Sequence, residues 1–142
     1  HFGPGHTDGD VAVYVPDAEV ILAGDLLESS APPSFGPDSD LRDWPNALDG
    51  ILGLVRQQTV LIPGHGPAMD QMAAFEQRSR IAALHGQVEF VIGQGKPLDE
   101  AYTAVEWPFD EQTVRAVLPR AYAAAAAAGV MPKRQLPLLG GH

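Results

Sequence analysis

Three side chains in the first half of the chain share one setting. His6 lies in Pro4-Gly5-His6-Thr7, Asp25 in Ala23-Gly24-Asp25, and His65 in Pro63-Gly64-His65-Gly66. Each sits on a short, glycine-flanked turn just before or after a β-rich run. Glycine lets the backbone turn sharply and lets a ligand approach closely. A neighbouring strand anchors the turn and holds the side chain rigidly, as a metal ligand must be held. One histidine in such a turn would be an ordinary loop residue. Three such turns within the first 65 residues point to a metal centre.

Composition limits what that centre can be. The 142 residues include no cysteine, so thiolate ligands, disulfides and a cysteine nucleophile are excluded. Histidine and carboxylate donors remain, the set that suits catalytic zinc, iron or manganese. The net charge is -9 and the pI about 4.7. Nucleic-acid binders carry a basic footprint, which is missing here. An acidic surface also repels anionic lipid headgroups. No run of about 18 apolar residues spans a membrane. A small-molecule substrate is therefore expected, with neither nucleic acid nor membrane as partner. The absence of cysteine is compatible with a reducing cytosol, and a cytoplasmic location is the expectation. No signal peptide is visible, but the chain starts at His1, so residues are expected upstream.

The elements that must position these side chains can be read in order. Val11 to Val15 is a short strand, Pro16 to Ala18 a turn, and Glu19 to Ala23 a second strand. The pair makes a hairpin ending at Gly24-Asp25. Ser29 to Asp40 is a long Ser/Pro/Gly/Asp loop, and loops of that length are often functional. Asp43 is placed to cap a helix with Pro45 in its first turn. Trp44, Ala47, Leu48, Ile51, Leu52 and Val55 follow at helical spacing. Thr59 to Ile62 is a short buried strand running into the His65 turn. A helix is expected from about Asp70 to Ile92, ended by Gly93 and Gly95. A short helix follows over Leu98 to Val105. Asp110 caps another, which Pro119 interrupts before an alanine-rich helix runs to Gly129. No repeat or linker divides the chain. Residues 1–70 carry the ligand-bearing strands and loops, and residues 71–142 are mainly helical.

Two stretches resemble the metallo-β-lactamase superfamily. One is Pro-Gly-His-Thr-Asp-Gly-Asp-Val-Ala-Val-Tyr-Val-Pro-Asp-Ala-Glu-Val-Ile-Leu-Ala-Gly-Asp, residues 4 to 25. The other is Val-Leu-Ile-Pro-Gly-His-Gly-Pro, residues 60 to 67. The Trp44 helix fits between them. The resemblance is strong from His1 to about Asp70 and weaker beyond. It implies an α/β fold, namely the carboxyl-terminal half of a four-layer αβ/βα sandwich. It also implies that His6 binds one metal, His65 a second, and Asp25 bridges the two. The other ligands come from a His-x-His-x-Asp-His motif on an amino-terminal half, and no such motif occurs in this sequence. Two divalent cations, zinc first, with iron or manganese compatible, would share a hydroxide. That hydroxide would attack an ester, thioester, lactone or similar bond. Members that open β-lactams usually carry cysteine or serine where Asp25 stands, so a general hydrolase is the better expectation.

A chain that lacks half the site has a second reading, a non-catalytic half-domain that binds one metal or a partner half. It would expose the apolar face that normally packs on that half. Docking of the missing half, or a homodimer, is then expected. Among the remaining candidates, Asp8 and Asp10 could hold a second ring nitrogen of a ligating histidine or stabilise the His6 turn. His1, His85 and His142 read as terminal or helix-surface residues. Trp44 and Trp107 read as core aromatics. The Ser29–Asp40 loop, with Phe35, reads as a substrate-shaping lid.

Overall fold

Short β-rich runs occur at residues 11–15, 19–23 and 59–62, and successive residues of a strand face opposite sides. The computed structural model, which describes residues 1–130, forms a three-stranded sheet from them. Strand β1 spans Val13–Val15, β2 Val20–Glu28 and β3 Val60–His65. β2 is central, antiparallel to β1 and parallel to β3. The β1–β2 hairpin forms as expected, closed by a 3₁₀ turn at Pro16–Ala18.

One face of the sheet carries Tyr14, Ile21, Ala23, Leu61 and Pro63. It packs beneath α1 (Trp44–Leu52) and α2 (Gln71–Gly93). Ile21 and Leu61 are fully buried there with Trp44, Leu48, Ile51, Ile81 and Leu84. The other face carries two cross-strand rows, Val13–Leu22–Ile62 and Val15–Val20–Val60. All six are aliphatic, and Val13, Val15, Leu22 and Val60 are exposed. An apolar face without a covering layer is not a stable end state for a sheet.

β2 runs further than expected, through Asp25 to Glu28 rather than ending at Gly24-Asp25. The buried pair Leu26 and Leu27 holds it in place. Its pairing with β3 is irregular: Leu22 lies opposite Ile62, Gly24 opposite Pro63 and Glu28 opposite His65. Gly24 takes a φ of 57°, which kinks the strand there. Irregularities of this kind re-aim side chains beside functional sites.

The helices follow the sequence with three corrections. Asp43 caps no helix amide, because its own backbone is already helical (φ -93°, ψ -18°). The carboxylate of Asp40 takes that role upstream, accepting from the amides of Arg42 and Asp43 at 2.9 and 2.8 Å. The short helix after Pro97, α3, stops at Ala101 instead of Val105. Pro119 does not interrupt α4, which runs unbroken over Glu111–Ala127. A proline inside a helix costs about 3 kcal/mol. Burial of Val114, Val117 and Leu118 against the body offsets it. α2 begins as expected, with the Asp70 carboxylate accepting from the Ala73 amide at 2.8 Å. α4 ends with Gly129 at φ 72° and the Val130 amide bonded to the Ala125 carbonyl, a left-handed C-cap. The tail expected beyond it, with His142, lies outside the described residues. Among the described residues, no helix is long and apolar enough to cross a membrane.

Asp110 caps α4 by accepting the Thr113 amide at 2.8 Å. That hydrogen bond, with a second from the Thr113 side chain, holds its carboxyl below the ordinary carboxylate range. A lowered carboxyl stabilises the fold above its unfolded pKa, and the contribution is lost as pH falls through the folded value. Asp110→Ala should therefore lower the melting temperature at pH 7. Thermal melts should show the gap to the unmodified chain closing below about pH 4.

Candidate metal centre

The His6 turn is built from its own short side chains. The Asp10 carboxylate accepts the Thr7 amide at 3.0 Å and the Thr7 hydroxyl at 2.9 Å. The Ser39 hydroxyl donates to the His6 carbonyl at 2.8 Å, and the Asp40 amide to the Gly5 carbonyl at 2.8 Å. The long loop thus clamps the turn from outside. From inside, the His6 ring meets the edge of Trp44, with centroids 5.8 Å apart and planes at 71°. The Trp44 indole N–H donates to the Leu26 carbonyl at 3.1 Å. A single buried side chain therefore ties the His6 turn to β2, next to Asp25.

Asp25 and His65 face each other across β2 and β3. Gly64 makes this possible, since a Cβ there would overlap the Asp25 carboxylate. Gly66 takes a φ of 93°, which turns the chain away directly after His65. The Ser29 amide then donates to the His65 carbonyl at 3.1 Å, and its hydroxyl to the Pro67 carbonyl at 2.6 Å.

The three expected ligands converge. Asp25 Oδ2 lies 3.9 Å from His6 Nδ1, and Asp25 Oδ1 lies 3.3 Å from His65 Nδ1. A fourth residue, not singled out from the sequence, joins them. Glu28 Oε1 lies 2.6 Å from His65 Nδ1. Asp25, Glu28 and His65 together form a cluster of donors able to hold a cation. The Glu28 side chain is only 7% exposed, whereas the His65 ring is 66% exposed. The Glu28 hydrogen bond, followed by the negative charges of Glu28 and Asp25, raises the His65 pKa above its ordinary 6.5. The buried Gln77 of α2 fixes this corner. It accepts the Glu28 amide and donates to the Leu26 carbonyl, both at 2.9 Å.

Glu28 was hidden by strand periodicity. Residues three apart in a regular strand point to opposite faces. Asp25 and Glu28 meet His65 together only because β2 loses its register against β3. The only trace in the sequence is a glutamate directly after two buried leucines, where a core strand has no use for a charge.

The remaining candidates take other places. Asp10 braces the Thr7 turn rather than a histidine ring, and Asp8 makes no side-chain hydrogen bond among the described residues. His1 is exposed, with Nδ1 2.7 Å from the Asp10 carbonyl. His85 sits on α2, 3.7 Å from Glu89. Trp107 is half-buried and donates to the Tyr102 carbonyl. Phe35 is not a lid residue. It is buried edge-on between Trp44 and Phe109, at 5.3 and 5.6 Å. An aromatic ring in a polar loop gains more from the core than from solvent. The start of the same loop, Ser29 to Pro33, does line a cleft of about 570 Å³ beside Glu28.

No family model matches the chain. Curated relatives do. A metallo-beta-lactamase type 2 of Bacillus sp. (strain 170) is 27% identical over 71 residues, 49% of this chain and 28% of that protein. One of Bacteroides fragilis is 28% identical over 68 residues, 46% of this chain and 27% of that protein. The chain thus spans under a third of the length of these relatives. Solved structures agree. The metallo-beta-lactamase of Pontibacter korlensis is 31% identical with a TM-score of 0.50, over 56% of this chain and 38% of that one. FIM-1 from Pseudomonas aeruginosa, in its mono-zinc form, is 30% identical with a TM-score of 0.50, over 58% of this chain and 37% of that one. About half of this chain is therefore homologous to the metallo-β-lactamase superfamily, and its mixed α/β fold corresponds to part of that superfamily's fold.

Proposed function

We propose that this chain supplies half of the metal centre of a metal-dependent hydrolase of the metallo-β-lactamase superfamily. The observation that carries the reading is the division of Asp25, whose two carboxylate oxygens face two different histidines. A carboxylate bridging two cations needs that division. The spacing also suits coordination. With metal–ligand bonds of about 2.0–2.2 Å, two donors on one tetrahedral ion lie about 3.3–3.6 Å apart. His65 and His6 stand 3.3 and 3.9 Å from Asp25, so small side-chain shifts would complete the set.

A bound divalent cation, zinc first, with iron or manganese compatible, lowers the pKa of water and polarises a carbonyl or phosphoryl oxygen. The chain's own residues do the rest. His6 and His65 would each hold a metal position, and Asp25, whose two oxygens face the two rings, would serve both. Trp44 closes the inner side of His6 against water, while Asp25 and His65 stay open on the outer side, where substrate enters. The remaining donors belong to an amino-terminal half with a His-x-His-x-Asp-His motif, absent from these residues. By the family resemblance, an aspartate in the bridging place implies an ester, thioester, lactone or similar small-molecule bond rather than a β-lactam. Hydrolysis of a generic thioester by the complete protein, with and without a chelator, tests this. Activity should vanish with the chelator and return with Zn²⁺. Turnover indifferent to the chelator would contradict the reading.

The bare sheet face supports a second reading for the chain by itself, a half-domain without turnover that binds its partner half or a second copy. Val13, Val15, Val20, Leu22, Val60 and Ile62 offer a flat aliphatic surface of the kind that sheets bury. The unaccompanied chain should therefore associate in light scattering. Leu22→Glu combined with Val60→Glu should release monomers. A monodisperse monomer of the unmodified chain at high concentration would count against it.

A further inference from the structure

We propose that the chain holds one divalent cation by itself, on Asp25, Glu28 and His65. The inference rests on the reading of Asp25 and His65 as ligands and adds the donor that completes a site without the absent half. Both carboxylates converge on one atom, His65 Nδ1, from 3.3 and 2.6 Å. His6 stands apart, on the far oxygen of Asp25.

Glu28 is built for this position. Its Cα is the register partner of His65 across β2 and β3. Its amide is held by buried Gln77, and its carboxylate is more than nine-tenths buried. Buried carboxylates need a cation or a full set of hydrogen bonds. Among the described residues, no lysine or arginine pairs with either Asp25 or Glu28. Arg80, which lines the same cleft, is spent on the Pro108 carbonyl. Even beside a protonated imidazole, two carboxylates leave a net negative charge that a divalent ion would neutralise.

The metric fits a hard, oxygen-preferring ion. At bonds of about 2.0–2.2 Å, adjacent donors of an octahedral ion lie about 3 Å apart. The Asp25–His65 spacing is near that value. The Glu28–His65 spacing is a hydrogen bond that opens by a few tenths of an ångström once the ion replaces the proton. Asp25 and His65 are open to solvent, so water can fill the other positions.

Mn²⁺ titrated into the full 142-residue chain tests the assignment, with free ion read by electron paramagnetic resonance. The expected result is one ion per chain and a hyperfine pattern from a single imidazole nitrogen. Glu28→Gln, nearly isosteric, should raise the Kd at least tenfold while circular dichroism stays unchanged. Asp25→Asn should do the same. If Asp25→Asn loses the ion and Glu28→Gln binds within tenfold of the unmodified chain, Glu28 only orients His65 and the inference falls, with the Asp25 reading intact. Two nitrogen couplings would also overturn it, because His6 would then be a ligand of the same ion. If neither substitution weakens binding, the ion sits elsewhere and both readings fall.

Discussion

Trp44→Ala should cost about 3–5 kcal/mol of folding stability, the range for truncating a large buried aromatic. Trp44 is fully buried, and its ring touches His6 on one side and Phe35 on the other. Its removal would leave a cavity between α1, the His6 turn and β2. Whole domains are stable by only about 5–15 kcal/mol. The variant should therefore melt far earlier or fail to fold, and His6 would lose the wall that orients it. Trp44→Phe separates packing from hydrogen bonding. It keeps most of the volume and forfeits the indole bond to Leu26. The Leu26 carbonyl keeps the Gln77 amide as a donor, so the loss should be only about 1 kcal/mol. Urea melts followed by circular dichroism check both variants. Equal destabilisation by phenylalanine and alanine would show that the hydrogen bond, not the packing, matters.

Asp25→Asn should have the larger effect on function. The amide keeps the shape but removes the charge and turns one oxygen into an N–H donor. That donor would face one of the two histidines instead of an ion. Losing only an outer-shell partner of a metal site already costs 10–100-fold in affinity or activity. Removal of a donor shared by two positions should exceed that, and chelator-sensitive hydrolysis should fall below detection. Stability of the metal-free chain should hardly change, because Asp25 is partly exposed. Metal content and thermal melts of the same sample check this. Full metal content in the variant would remove Asp25 from the site.

Much of this arrangement is legible in the residues. The glycine-flanked turns place His6, Asp25 and His65 because glycine is needed wherever a ligand and a backbone must pass closely. Gly64 under the Asp25 carboxylate is the clearest instance. Helical spacing found α1 and α2, since burial on one face repeats with the turn. Other features depend on contacts that no local pattern carries. Pro119 reads as a break until the buried face of α4 is known to hold the helix together. Phe35 reads as part of a substrate-shaping lid until Trp44 and Phe109 enclose it. Glu28 carries no clear signal in the sequence until the register of β2 slips and brings it to His65. These are tertiary effects, and each overrides a local rule that would hold in a peptide.

Native mass spectrometry of the chain with Zn²⁺ is the decisive measurement for the claim that His6, Asp25 and His65 are metal ligands. Zinc retained by the unmodified chain, alone or in a heavier assembly with a partner half, and lost from Asp25→Asn is the expected outcome. An unmodified chain that takes up no zinc in any assembly, or an Asp25→Asn chain that keeps it, would contradict the claim.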